Sequence, residues 1–242
     1  MSRVFVTGDK HGDYTLVKNF CLKWNTSKDD LLIVLGDNGV NYYGHGRDTK
    51  LKHKLEFLPI TFFMIKGNHD RRPDLEKYDL IEAKHELVRG EVFVEKEFPS
   101  LLFSKTFGGY QFKLFDQWVN SYVIGGAYSV DKWYRLQMAA KGIENLHWFA
   151  DEQLSKEEMD AVDTEIPENT QIILSHTCPY KYIPRDMFLS QIDQSTVDDT
   201  MEHWLDNIEN KVNYDKWYCG HWHTDRIVDR LRFMYNDIIS LN

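Results

Sequence analysis

Ile60-Thr61-Phe62-Phe63-Met64-Ile65-Lys66-Gly67-Asn68-His69-Asp70 is the stretch on which the reading of this chain turns. Residues 60–65 form an apolar run of strand length, which suits a fully buried strand. Gly67 then opens a turn that carries an Asn, a His and an Asp. In open α/β sheets ligands bind at the carboxyl ends of the strands. Asn68 offers an amide oxygen to a hard cation, and His69 is the best general acid available near neutral pH.

Four other stretches have the same form, a polar cluster ending an apolar run. Residues 3–7 end in Gly8-Asp9-Lys10-His11-Gly12-Asp13, and residues 31–35 in Gly36-Asp37-Asn38-Gly39. Residues 170–174 end in Ser175-His176-Thr177, and residues 216–219 in Gly220-His221-Trp222-His223. Between the first two strands, Leu16, Val17, Phe20, Cys21 and Trp24 recur at helical spacing, with Asp13 placed to cap the helix. A second helix is expected over 49–57, stopping before Pro59. This β-α-β-α-β opening implies parallel strands with right-handed crossovers.

The middle of the chain changes character. Residues 91–94, 101–104, 110–115 and 118–124 read as short, closely spaced strands, and Tyr110, Phe112 and Leu114 alternate with Gln111 and Lys113. Helices are expected over 131–140 and 151–162. Thr196 is the expected cap of another, carrying Val197, Met201, Trp204, Leu205 and Ile208. Short strands at 227–228 and 231–235 finish the chain. With no internal repeat, low-complexity tract or linker, residues 1–242 read as a single α/β domain with two packed sheets.

Composition narrows the function class. A chain of 242 residues can bury a sizeable core, and 42% hydrophobic with 28% charged residues is ordinary for a globular protein. The net charge of −9 argues against an extended nucleic-acid footprint, which needs a basic face. Three cysteines, Cys21, Cys178 and Cys219, suit a reducing compartment better than a disulfide framework. The N-terminus lacks the apolar segment of a signal peptide, and no apolar run could span a bilayer. The expectation is a cytoplasmic protein with no membrane partner.

The strand ends together supply Asp9, His11, Asp37, Asn68, His176, His221 and His223. Two carboxylates, one amide oxygen and four imidazoles are too many donors for one tetrahedral ion and about right for two ions sharing a carboxylate. The nitrogen and oxygen set suits divalent Mn, Fe, Zn, Co or Ni. Two such ions roughly 3.5–4 Å apart can hold a hydroxide and grip a phosphoryl group in line.

These motifs, in this order, resemble those of the calcineurin-like metallophosphoesterases. The resemblance implies a four-layer αββα sandwich, two mixed β-sheets flanked by helices. It also implies that Asp9, His11 and His223 hold one metal and Asn68, His176 and His221 the other, with Asp37 bridging. His69 is the implied general acid, facing the phosphate and its leaving group. The protein phosphatase branch of the family carries an Asp three residues after the bridging Asp, which orients the catalytic histidine; here that position is Val40. Asp70 is then the candidate orienting carboxylate, unless there is none. The run Gly125-Gly126-Ala127-Tyr128-Ser129-Val130-Asp131-Lys132 resembles, more loosely, bacterial and phage-type members.

The implied activity is hydrolysis of phosphate esters by in-line attack of a metal-bridging hydroxide, on a phosphorylated small molecule, a nucleotide or a phosphoprotein. A phosphodiesterase or nuclease on the same metals is the first rival, and a metal-binding scaffold without turnover the second. Asp13 and Asp70 read as helix caps rather than ligands. A Cys2His2 zinc site built on Cys178 and Cys219 would leave Asp9, His11, Asp37 and Asn68 unexplained. Arg71 and Arg72 are candidates to reach a substrate phosphate, or form a solvated pair. Trp133, Tyr134 and Arg135 read equally as lid or packing, and His45, His53, His85, His147 and His203 as surface or hydrogen-bonded residues.

Overall fold

Every residue of the strands Val4–Thr7 (β1), Leu31–Val34 (β2) and Thr61–Met64 (β3) is buried, which requires cover on both faces of the sheet. The computed structural model describes residues 2–143, 146–188 and 195–242 and supplies that cover. Helices Thr15–Trp24 (α1) and Gly46–Glu56 (α2) follow β1 and β2. After β3 come the strands Tyr78–Glu82 (β4), Val88–Arg89 (β5), Glu91–Glu95 (β6), Leu101–Ser104 (β7), Phe107–Leu114 (β8) and Gln117–Ile124 (β9). Helices Lys132–Ala140 (α3) and Lys156–Glu165 (α4) lead to Ile172–Ser175 (β10), and Thr200–Lys211 (α5) to Lys216–Cys219 (β11). Arg226–Val228 (β12), Leu231–Phe233 (β13) and Ile238–Ser240 (β14) finish the chain.

Two mixed sheets result, one in the order β14-β1-β2-β3-β7-β6-β4 and the other β12-β13-β11-β10-β9-β8-β5. The centre of each is parallel, β1-β2-β3-β7 and β9-β10-β11-β13, and antiparallel strands close the edges. The alternation of side chains sorts the core into layers. Val4, Val6, Leu31, Ile33, Phe63, Val123 and Leu174 pack between the sheets. Their strand neighbours Phe5, Leu32, Val34, Phe62 and Met64 face the other way, onto Val17 and Cys21 of α1 and Leu55 of α2. On the far side Tyr122, Ile124, Ile173 and Trp217 meet Met159 and Val162 of α4 and Met201, Leu205 and Ile208 of α5. Helix, sheet, sheet, helix is the four-layer sandwich expected.

Several boundaries moved for local reasons. The helix expected over 151–162 starts later, because Ser155 and Glu158 form a reciprocal capping box at its N-terminus. The last helix begins at Thr200, whose N–H bonds Asp198 Oδ1 at 3.1 Å, so neither Thr196 nor Val197 belongs to it. Asp70 caps no helix, since the next element is β4. Three strands escape sequence reading. β4 is a largely exposed edge strand, while β5 and β14 are too short to show a period.

Leu205 is fully buried on α5, while Leu22 on α1 is 73% exposed. Leu205→Ala is expected to cost about 2–5 kcal/mol in denaturant unfolding. Leu22→Ala should stay within about 0.5 kcal/mol of the parent.

Candidate metal centre and its cleft

The five motif loops meet where the carboxyl ends of β1, β2 and β3 face those of β10 and β11. The turns are unusual. His11, Asp37, His221 and His223 hold φ between 45° and 64°, a left-handed conformation that L-residues avoid. Such strain costs roughly 1 kcal/mol or more per residue and persists only where surrounding structure enforces it. Here the backbone enforces it: the N–H groups of Lys10 and His11 both donate to the Asp37 carbonyl, at 3.1 and 2.7 Å. Glycines let the loops close up. A Cβ on Gly36 would stand 2.2 Å from His176 Nδ1, and one on Gly67 would stand 2.1 Å from Asp37 Oδ1.

The seven residues singled out from the sequence come together. The ligating atoms of Asp9, His11 and His223 lie within 4.8 Å of one another, and so do those of Asp9, Asp37 and His176. Asn68 Oδ1 lies 2.8 Å from His176 Nε2 and 3.1 Å from His221 Nδ1. Asp9 Oδ1 accepts the His221 N–H at 2.8 Å, and Asp37 Oδ1 accepts the His69 N–H at 2.8 Å. Asp9, Asp37, Asn68 and His176 are buried, while His11 and His223 stand at the mouth.

The donor set fits cations. His176 Nδ1 is 2.7 Å from the Leu35 carbonyl, which can only accept, so Nδ1 carries the ring proton. Nε2 of the neutral ring then points a lone pair at Asn68 Oδ1, whose own amide nitrogen is fixed by donating to Ser129 Oγ at 2.9 Å. Two lone pairs at that separation repel unless a positive charge lies between them. At the mouth, His11 Nε2 and His223 Nε2 are 3.0 Å apart, and the buried Asp9 Oδ2 lies 3.2 Å from His223 Nε2. Burial, then the Asp9 charge, push the Asp37 carboxyl well above the usual carboxylate range. Burial opposes ionisation of Asp9 too, yet His176 and His223 hold its pKa below the ordinary value. Crowded, buried carboxylates are the environment a divalent ion relieves.

A family model for calcineurin-like phosphoesterases matches residues 2–225. The chain belongs to that family. No curated protein sequence matches it as a close relative. Among solved structures it is similar to a phosphopantetheinyl hydrolase from Mycobacterium tuberculosis, at 12% identity and a TM-score of 0.46 over 97% of this chain and 88% of that one. The chain is thus a metal-dependent phosphoesterase by family, with Asp and His clusters able to bind the metals.

Around the candidate metal site stand residues that the sequence left undecided. Arg135 of α3 is held by Asp131 through Nε at 2.7 Å, and by the Tyr42 hydroxyl and the His147 carbonyl through Nη1 at 2.8 and 3.0 Å. Its Nη2 reaches to 3.4 Å from His69 Nε2. Ser129 was detectable in principle, because Gly125-Gly126-Ala127-Tyr128-Ser129 also ends a buried strand, β9. Arg135 had no such signal. Arg72 does not face the site; Glu158 at 2.5 Å and Asp151 at 2.9 Å hold it. Arg71 lies over the Phe149 ring. Cys178 and Cys219 are buried among apolar side chains and join no metal-binding group among the described residues. His45 caps α2, His85 bonds the Lys28 carbonyl, His53 pairs with Glu97 and His203 stacks on Tyr180. No helix among the described residues is long and apolar enough to cross a membrane.

Asp70 spends its carboxylate on the backbone. Oδ2 accepts from the N–H groups of Asn38 and Gly67, both at 3.0 Å, and Oδ1 from Gly39 at 3.1 Å. It shapes the loops that carry Asp37 and His69 without touching the His69 ring. Asp70→Ala leaves those donors unpaired, at about 1–3 kcal/mol each. The expected outcome is a clear fall in melting temperature together with weakened metal retention in dialysis. Unchanged values of both would remove this role.

Proposed function

We propose that the chain is a dinuclear phosphoesterase. Asp9, His11 and His223 hold one divalent transition ion, Mn, Fe, Zn, Co or Ni. Asn68, His176 and His221 hold a second, and Asp37 is shared. The observation that carries this reading is the pair of overlapping donor groups, which share the buried Asp9 carboxylate. Ions bound there would polarise a phosphoryl oxygen and make a water acidic enough to attack phosphorus in line near neutral pH.

The chain's own residues then do the rest. The Arg135 guanidinium, anchored on three sides, offers its remaining nitrogen to phosphoryl oxygens beside His69. Burial, then the Arg135 charge, push the His69 pKa down to about 3, so the free imidazole is neutral. A phosphate dianion accepting from Arg135 beside His69 reverses that balance: the imidazole takes up a proton from solvent, and the imidazolium so formed donates it to the leaving oxygen. Asp70 supports this step by fixing the turn after Gly67. The substrate is a phosphate ester of a small molecule, a nucleotide or a phosphoprotein. Asp198 and Asp199 line the adjoining cleft together with Arg185, and the net charge of −9 leans away from a nuclease. Three free, buried cysteines support a reducing, cytoplasmic setting.

Three outcomes are expected. Chelation should abolish hydrolysis of p-nitrophenyl phosphate, and Mn or a similar ion should restore it; full turnover by verified metal-free protein would sink the reading. Asp37→Asn should lower occupancy of both metal positions by elemental analysis, whereas Asp13→Asn should keep both. His69→Ala should slow an alkyl phosphate about 10²–10⁴-fold, mostly in kcat, and a p-nitrophenyl ester far less, because a good leaving group needs little proton transfer. Equal losses on both esters would show that His69 stabilises phosphate rather than donating a proton, and metal loss would make it a ligand.

A further inference from the structure

A phosphate monoester and a phosphate diester differ at one oxygen. The monoester presents three terminal oxygens and the diester only two, because its third carries a second arm. What stands around the phosphoryl group therefore decides between them. On the side of α3 stands Arg135, whose side chain is only 12% exposed. Asp131 holds its Nε at 2.7 Å, and the Tyr42 hydroxyl and the His147 carbonyl hold Nη1 at 2.8 and 3.0 Å. Nη2 is left facing His69 Nε2 at 3.4 Å, a long contact with a ring nitrogen. A phosphate oxygen would outcompete it, because hydrogen bonds between ionised partners are shorter and roughly twice as strong as neutral ones.

Behind the guanidinium stand other side chains. The Tyr42 hydroxyl also accepts the His147 N–H at 2.8 Å, so one atom ties Arg135 to the loops that follow β2 and α3. The Tyr42 ring stands edge-on to His147 and Phe149, with centroids 5.2 and 5.9 Å away, and Phe149 is buried. The cleft of about 990 Å³ beside the metal cluster is lined by Arg135 but by neither Tyr42 nor His147. Its lining runs instead to Ile183, Met187, Phe188 and Trp222. One arm of an ester thus has a path out of the site. A second arm on the α3 side would meet a charged side chain pinned against aromatic rings.

We propose that Arg135, held by Tyr42, makes the chain selective for phosphate monoesters: it takes the third terminal oxygen and leaves no place for a second ester arm. The inference rests on the phosphoesterase reading above and narrows its substrate class. Arg135 is the specificity-determining residue, and Tyr42 is a positioning residue that acts through it. Charge points the same way as shape. A monoester carries about 1.5 to 2 negative charges at pH 7, and the guanidinium offsets the charge that a diester lacks.

Calorimetric titration of the Mn-loaded protein compares phenylphosphonate with its methyl monoester, which share a ring and differ in whether the third oxygen is capped. Phenylphosphonate should bind about tenfold or more tighter, the range of one hydrogen bond to a charged group. In Arg135→Ala it should weaken by about 10- to 100-fold, while the capped ligand binds as well as before or better, since its methyl gains room. Turnover is read on p-nitrophenyl phosphate and bis(p-nitrophenyl) phosphate, which release the same leaving group. Arg135→Ala should shift the ratio of their kcat/KM values towards the diester by about 10²-fold. Tyr42→Phe keeps the ring and loses the hydroxyl. It should shift the ratio the same way by less, and add nothing in the double variant. Equal binding of the two phosphonates by the parent, or a ratio unchanged in Arg135→Ala, overturns the inference and leaves the phosphoesterase reading intact. A parallel loss on both esters also overturns it, and assigns Arg135 to the fold. A further loss in the double variant overturns the role given to Tyr42. Absence of turnover on both esters by protein carrying its metals overturns both readings together.

Discussion

Two carboxylates buried side by side are the constraint around which this molecule is arranged. Asp9 and Asp37 both lie within ligating distance of one imidazole, His176, with almost no access to water. Burial works against ionising either of them, and in a low-dielectric setting their repulsion is weakly screened. Such a pair survives only if the scaffold holds it and a positive charge compensates it. The scaffold's share is visible in the backbone. The Asp37 carbonyl gathers two N–H groups from the β1 loop, its carboxylate takes the His69 N–H, and Asp70 ties the β2 and β3 loops together.

The four-layer architecture makes this possible. Parallel strands in each sheet deliver their carboxyl ends to the same edge, and three apolar layers lock the sheets and helices in register. The left-handed turns at His11, Asp37, His221 and His223 are then stabilised by packing and not by local preference. The strain is placed where donors must point inward from the ends of strands that would otherwise send the chain onward into solvent.

Function divides across the site in the same physical terms. The buried half, with Asp9, Asp37, Asn68 and His176, suits cations. The half beneath α3 presents Arg135 and His69, and burial, then the guanidinium charge, lower the pKa of that imidazole. Beyond them lies a cleft with an apolar wall of Ile183, Pro184, Met187, Phe188 and Trp222.

The sequence by itself determined the motif loops and the class of fold. Each of the five loops follows a short apolar strand, a pattern carried by local periodicity and, in four of them, by Gly at the turn, so Asp9, His11, Asp37, Asn68, His176, His221 and His223 were legible from the sequence. The central strands were legible for the same reason, since full burial on both faces leaves continuous apolar runs. Only the tertiary structure decided which further residues lie around the motif loops. Arg135 lies 66 positions from His69 on a helix with no buried residue, so no periodicity marks it. Asp70 carries the letter of a helix cap, but with no helix after it, it serves the β2 loop instead. Glu202 lies on the buried side of an amphipathic helix, and it meets the Thr177 hydroxyl because α5 packs against the loop after β10. Long-range packing sets these roles, and a one-dimensional pattern records only what neighbouring residues impose on one another.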